Sequence, residues 1–236
     1  MERLDKLLAA ALGLTRSEAK TVIKKGLVFV NGRCVKDSAF KADEKGDTII
    51  AKGKTVEYKK YVYIMLNKPK GVISASEGKN EKTVIDILPE NMKRNGLFPA
   101  GRLDKDTTGF MLITDDGDYA HRILSPKSHI PKTYVASLDK PFDSSVSQAF
   151  ENGVELKDCI CMPAEIHPDS GDCRRAVVTI RQGMYHQIKR MFKKFGITVT
   201  ELERIKMGAL MLDKNLKRGE CRYLTAEEIK LIEKTV

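Results

Sequence analysis

The stretch from Phe98 to Thr114, Phe-Pro-Ala-Gly-Arg-Leu-Asp-Lys-Asp-Thr-Thr-Gly-Phe-Met-Leu-Ile-Thr, constrains the fold of this chain more than any other. Residues 110–113 are a continuous apolar run, which predicts a buried strand. A shorter apolar run ends just before Arg102 and Asp104, and Gly109 leads into the strand. A guanidinium and a carboxylate are thus set two residues apart on a polar loop between rigid elements, a common way to hold chemistry in place. By spacing alone the loop also suits a solvated surface turn.

Charge narrows the choice of partner. The chain of 236 residues has a formal net charge of +10. Residues 1–60 hold 14 Lys+Arg against 8 Asp+Glu, so a quarter of the chain carries over half of the excess. This asymmetry predicts a small basic module that grips a polyanion, joined to a larger and more neutral domain. An anionic membrane surface fits less well, because the basic positions lack the aromatic anchors of an interfacial helix. No apolar run approaches a membrane span, and the amphipathic start Met1-Glu-Arg-Leu-Asp-Lys-Leu-Leu is unlike a signal peptide. A cytoplasmic protein is expected. The odd count of five cysteines argues against a disulfide framework, and Cys159, Cys161 and Cys173 lack the spacing of a zinc site. Buried or half-buried thiols and no metal are expected.

Leu4, Leu7, Leu8 and Ala11 recur at helical spacing, and Gly13 ends that helix. Thr15-Arg-Ser-Glu18 forms a capping box for a second helix to about Lys25, with Ala19, Val22 and Ile23 as its apolar stripe. Arg16, Lys20 and Lys24 recur every four residues along one exposed line, a repulsive row better suited to phosphates than to bare solvent. Leu27–Val30 and Arg33–Lys36 flank Asn31-Gly32, a strong hairpin signal. Residues 51–60 are polar and lysine-rich and read as a linker. Strands are expected at 61–66, 132–138 and 175–181, a turn at 67–71, and helices at 119–124, 186–195 and 225–234. Mixed strands and helices without a regular βαβ repeat predict an α+β fold.

Two resemblances give these patterns a common meaning. The helix, basic helix and Val-Asn-Gly hairpin over residues 2–50 look like the S4 RNA-binding domain. Gly101-Arg-Leu-Asp-Lys-Asp-Thr-Thr-Gly109 resembles the G-R-L-D-x-x-T-x-G-L signature of the RsuA/RluA pseudouridine synthases, with Phe110 where leucine is usual. Leu66-Asn-Lys-Pro-Lys-Gly71, Lys132-Thr-Tyr134 and His186-Gln-Ile-Lys-Arg-Met191 resemble further motifs of that family. The resemblance implies an S4 domain with its linker over residues 1–58 and a mainly antiparallel-sheet synthase domain over 59–236.

It also implies roles. Asp104 stands at the catalytic aspartate, Tyr134 at the tyrosine that stacks on the flipped base, and Lys189 at the basic residue that pairs with the aspartate. Arg102 stands at an arginine linked to RNA binding and base flipping, although a salt bridge that shapes the loop would explain it equally well. Arg190, with the row Arg16, Lys20 and Lys24, is expected to face RNA. Isomerisation of uridine neither gains nor loses atoms, so no cofactor is expected. The aspartate is needed at the ribose, either to attack C1′ or to take a proton from C2′. The lysine and the preceding Tyr185-His186-Gln187 look most like the RsuA branch, implying 16S rRNA, uridine 516, as the substrate; a monomer is expected. Alternatives are a large-subunit uridine, a non-catalytic rRNA-binding assembly factor, and a glycoside hydrolase in which Asp106 supplies the second carboxylate.

Overall fold

The computed structural model describes residues 1–43, 46–56 and 59–234. They form two compact units, Met1–Val62 with Pro89–Leu97 and Tyr63–Leu88 with Phe98–Val236. Glu57 and Tyr58, where the sequence places the end of a linker, lie outside the described residues.

In the first unit β1 (Glu2–Arg3) leads into α1 (Leu4–Leu12), which ends at Gly13. The capping box forms as the sequence predicts: Thr15 accepts from the Glu18 amide, and Glu18 accepts from the Thr15 amide. It starts α2 (Arg16–Lys24). β2 (Val28–Val30) turns at Asn31 and Gly32, with φ of 49° and 78°, into β3 (Arg33–Cys34). Positive φ at both central residues is what a type I′ hairpin requires. β4 (Lys41–Ala42) pairs with β1, and β5 (Ile49–Ala51) pairs with β2 and with β6 (Lys54–Thr55). The expected linker is therefore ordered over residues 51–55: alternating Ile49 and Ala51 bury against the helices, which outweighs the lysine-rich composition. Leu4, Leu7, Leu8, Ala19, Val22 and Ile23 supply the helical side of this core.

The second unit is built on a mixed, mainly antiparallel sheet. Its strands are β7 (Tyr63–Lys68), β8 (Phe98–Pro99), β9 (Thr108–Thr114), β10 (Lys132–Leu138), β11 (Glu165–Asp169), β12 (Asp172–Ile180), β13 (Val199–Met207), β14 (Leu210–Met211) and β15 (Cys221–Tyr223). The order along the sheet is β11-β12-β10-β13-β9-β7-β15, with β8 beside β9 and β14 beside β13. Among the described strands, β13 and β9 alone run parallel. Four helices pack around this sheet: α3 (Gly117–Leu124), α4 (Ser144–Asn152), α5 (Gln187–Lys194) and α6 (Ala226–Ile232).

Every residue of β9 is buried. Gly109, at φ 97°, lets β9 approach β13: a Cβ there would lie 2.2 Å from the Arg204 carbonyl oxygen. The same contact excludes every other residue, since no side chain can share that space. The turn expected at 67–71 begins later than the sequence suggests. Asn67 and Lys68 complete β7 and are buried, β9 pairing with the strand to its end. Cys34 also departs from expectation, being exposed, because β3 is an edge strand of a small sheet.

Candidate active site

The Asp104 loop lies between β8 and β9 and is fastened from below by Lys68. The Lys68 ammonium donates to the carbonyl oxygens of Asp104 (3.0 Å), Lys105 (3.3 Å), Thr107 (2.9 Å) and Pro69 (3.3 Å). Burial pushes this lysine down to about 8, against the raising influence of Asp106 and Asp104. Ser74 ties the loop from the side, donating to the Leu103 carbonyl at 2.8 Å and accepting from its amide at 3.0 Å. The Gly71 amide adds a bond to the Lys105 carbonyl. A polar loop is thereby held as firmly as a strand.

α5 brings the opposing charge. Its stripe of Ile188, Met191 and Phe192 is buried, and the Phe192 ring packs 4.9 Å from Phe150 and 6.4 Å from Phe142. With that face pinned, Lys189 projects at the stripe's border, about 100° round from Ile188. Its ammonium lies 2.9 Å from Asp104 Oδ2 and 2.7 Å from Asp106 Oδ1. Burial works against the Lys189 charge, but hydrogen bonds to Asp106 and Asp104 outweigh it and hold its pKa above the usual lysine range. Asp106 is pulled the other way: burial would raise it, yet Lys189 keeps it below the ordinary carboxylate value.

Tyr134 arrives from β10, at a β-bulge in the pairing with β13 between Thr133 and Tyr134. Bulges re-aim side chains in this manner. Asp104 and Tyr134 line one narrow cavity of about 70 Å³, together with Arg102, Thr107, Ile188 and Leu202. The Thr107 hydroxyl is buried there without a hydrogen-bond partner. Arg102 is exposed and makes no ion pair among the described residues, so a loop-shaping salt bridge is not its role in this structure.

The structure thus brings Asp104, Tyr134, Lys189 and Arg102 together. Arg190 sits elsewhere on α5 and is taken up by an ion pair with Asp158. Arg16, Lys20 and Lys24 are exposed on α2 in the first unit, but the Arg16 guanidinium lies 3.4 Å from buried Asp5. Sequence reading missed Lys68 and His186. Lys68 stands two residues past the apolar run, where the sequence reads as a turn, and carries no signal of its inward role. His186 Nε2 lies 3.4 Å from Asp104 Oδ1, and its backbone is left-handed at φ 48°. Among the described residues, no group of three or more His, Cys, Asp or Glu side chains is placed to hold a metal ion.

Comparison with known proteins gives this arrangement a family. Residues 62–194 match the RNA pseudouridylate synthase family, and residues 2–49 match the S4 domain. The chain belongs to the RNA pseudouridylate synthase family. The synthase is 42% identical to an uncharacterized RNA pseudouridine synthase of Bacillus subtilis, over 98% of each chain. It is 42% identical to the ribosomal small subunit pseudouridine synthase A of Vibrio vulnificus, over 96% of this chain and 97% of that one. For the Escherichia coli protein of the same name the identity is 40%, over 96% and 98%. A crystal structure of a pseudouridylate synthase superimposes with a TM-score of 0.69 at 37% identity, covering 98% of this synthase and all of the other chain. The fold is therefore an S4 domain followed by a pseudouridine synthase domain, and the enzyme isomerises uridine in RNA.

Proposed function

We propose that the enzyme converts one uridine of small-subunit 16S rRNA to pseudouridine, at uridine 516, working as a cytoplasmic monomer. Support for the small subunit comes from full-length relatives at about 40% identity that carry that name. Residues 1–58 act as the RNA-gripping part and 59–236 as the catalytic part.

The observation that carries the chemistry is the Lys189 ammonium 2.9 Å from Asp104, which lines the same cavity as Tyr134. In the reaction the C1′–N1 bond of uridine breaks, the uracil turns, and a C1′–C5 bond forms with loss of the C5 hydrogen. Asp104 works on the ribose as a carboxylate, and Lys189 keeps its charge balanced as the base departs. Tyr134 packs on the uracil and keeps it from diffusing away. The base must leave its stack first, which costs a few kcal/mol, and Arg102 stands free at the entrance to hold the gap.

Mapping pseudouridine in rRNA from cells with and without the gene tests the target. Loss of a single small-subunit signal is expected; loss of a large-subunit signal would overturn the 16S assignment. Purified enzyme should release tritium from rRNA labelled at uridine C5, whereas a hydrolase would yield free labelled uracil and a pure binding protein nothing. Asp104→Asn should abolish release while RNA affinity stays within about twofold, the shape being kept and the carboxylate lost.

A further inference from the structure

Beside the narrow cavity lies a second and wider one, of about 720 Å³, bounded by Ser74, Arg102, Asp104, Tyr185 and His186. Arg102, Asp104 and His186 border both. The wide cavity falls within the roughly 300–1,000 Å³ range of sites that take a nucleotide-sized ligand. Its floor carries an unusual pair. The Tyr185 ring stacks on the His186 imidazole, with centroids 3.8 Å apart and planes 17° from parallel. Tyr185 is 76% exposed, the highest value of any aromatic side chain described, and only its backbone carbonyl takes part in a hydrogen bond.

His186 covers one face of the Tyr185 ring, and the other is left open to water. His186 meanwhile holds a left-handed backbone that costs of order 1 kcal/mol or more in a non-glycine residue. The open outer face of Tyr185 is suited to receive a flat apolar partner. The second cavity wall presents Arg102, an unpaired cation suited to a phosphate, while Lys105 is already paired with Glu81 at 2.6 Å.

We propose that the Tyr185–His186 stack is a platform for the base next to the target uridine, with Arg102 at the phosphate between the two nucleotides. The platform rests on the RNA isomerase reading and extends it: the enzyme would bind two successive bases, one in each cavity. Because every base has a π-face, the platform favours the presence of a neighbouring base over its identity.

A chemical double-mutant cycle tests this. The uridine that the enzyme modifies is first mapped, and that rRNA is rebuilt by splinted ligation with a single abasic nucleotide 5′ or 3′ of it. For wild-type enzyme, one of the two abasic RNAs should lower kcat/KM about tenfold, the usual scale of one base–aromatic stack. Tyr185→Ala should lose about tenfold on intact RNA and nothing further on that abasic RNA. Tyr185→Phe should retain wild-type values on all three. Full additive losses on both abasic RNAs, or no loss for Tyr185→Ala on intact RNA, would overturn the platform. Failure of wild-type enzyme on intact RNA would overturn the isomerase reading itself.

Discussion

The two units differ in the charges they bury. In the S4 unit the buried ionised group is an acid: Asp5 accepts from Arg3 at 3.0 Å and 3.1 Å and meets Arg16 at 3.4 Å. In the synthase unit three buried groups are cations, Lys68, Lys132 and Arg204, and one, Asp116, is an acid that accepts from the Tyr63 hydroxyl at 2.5 Å. Lys68 is answered by backbone carbonyls, and Arg204 donates to the Phe110 carbonyl at 2.7 Å. Burial pushes Lys132 down to about 8, with Arg204 nearby adding to the shift. Asp5 anchors Arg3 and Arg16 from within the S4 unit, while Lys20 and Lys24 stay exposed.

This contrast can be broken at several points, the most damaging being at Lys189. Lys189→Met leaves Asp104 and Asp106 without the cation between them and should lower kcat by about 10²–10³-fold, the scale for losing one placed electrostatic group. Lys193→Met, on the exposed face of α5, should change kcat by less than about threefold. Equal modest losses in single-turnover assays would reduce Lys189 to a phosphate contact.

Lys68→Met comes next. It strands carbonyls of Asp104, Lys105 and Thr107, and a loop displaced by about 1 Å is expected to cost about 10²-fold in kcat. Unfilled buried acceptors should also lower stability by about 2–4 kcal/mol, read from urea denaturation. Unchanged kcat in a folded variant would show that the loop keeps its place without the clamp.

Lys20 and Lys24 sharpen the other side. Alanine at both should weaken rRNA binding and reduce the slope of log K against log salt by roughly one per lost phosphate contact. Adding Arg16→Ala should contribute less to the slope, since Asp5 already holds that charge. An unchanged slope would turn this helix face towards solvent.

The smallest effect is on acid stability. Arg3 holds the Asp5 carboxyl down at about 2, from an ordinary value of 3.8, with Arg16 assisting. A depressed folded pKa stabilises above the unfolded value and is lost as pH falls through the folded one. Between about pH 4 and pH 2 the S4 unit should lose about 1 kcal/mol from this group, allowing for solvent screening at the exposed guanidinium ends. Asp5→Asn should flatten that part of the stability profile in acid titrations followed by circular dichroism.

Local signals in the sequence carried much of this organisation. The capping box at Thr15 and the Asn31-Gly32 turn are each set by a few adjacent residues, and both form as read. Lys132–Leu138 matches its strand to the residue. Elements governed by distant partners were not legible. β13 gives only a weak alternation, Glu201, Glu203 and Lys206 interrupting it, and it gains its place by pairing with β9 and β10. α4 lacks a strong apolar stripe, burying only Val146 and Phe150. At the site, Asp104, Tyr134 and Lys189 were marked by motifs that resemble the family's, and charge complementarity gave Lys189 a partner. No pattern along the chain says that Lys68 turns inward beneath a loop 36 residues away.

The position of Asp106 has a consequence for how charge moves during turnover. Lys189 is shared between two carboxylates, Asp104 at 2.9 Å and Asp106 at 2.7 Å. Under the proposed mechanism Asp104 gives up its charge, to carbon or to a proton, and Lys189 would still have Asp106 at 2.7 Å. Asp106 would then serve as a resident counterion that keeps the ammonium in register, ready for Asp104 when its charge returns.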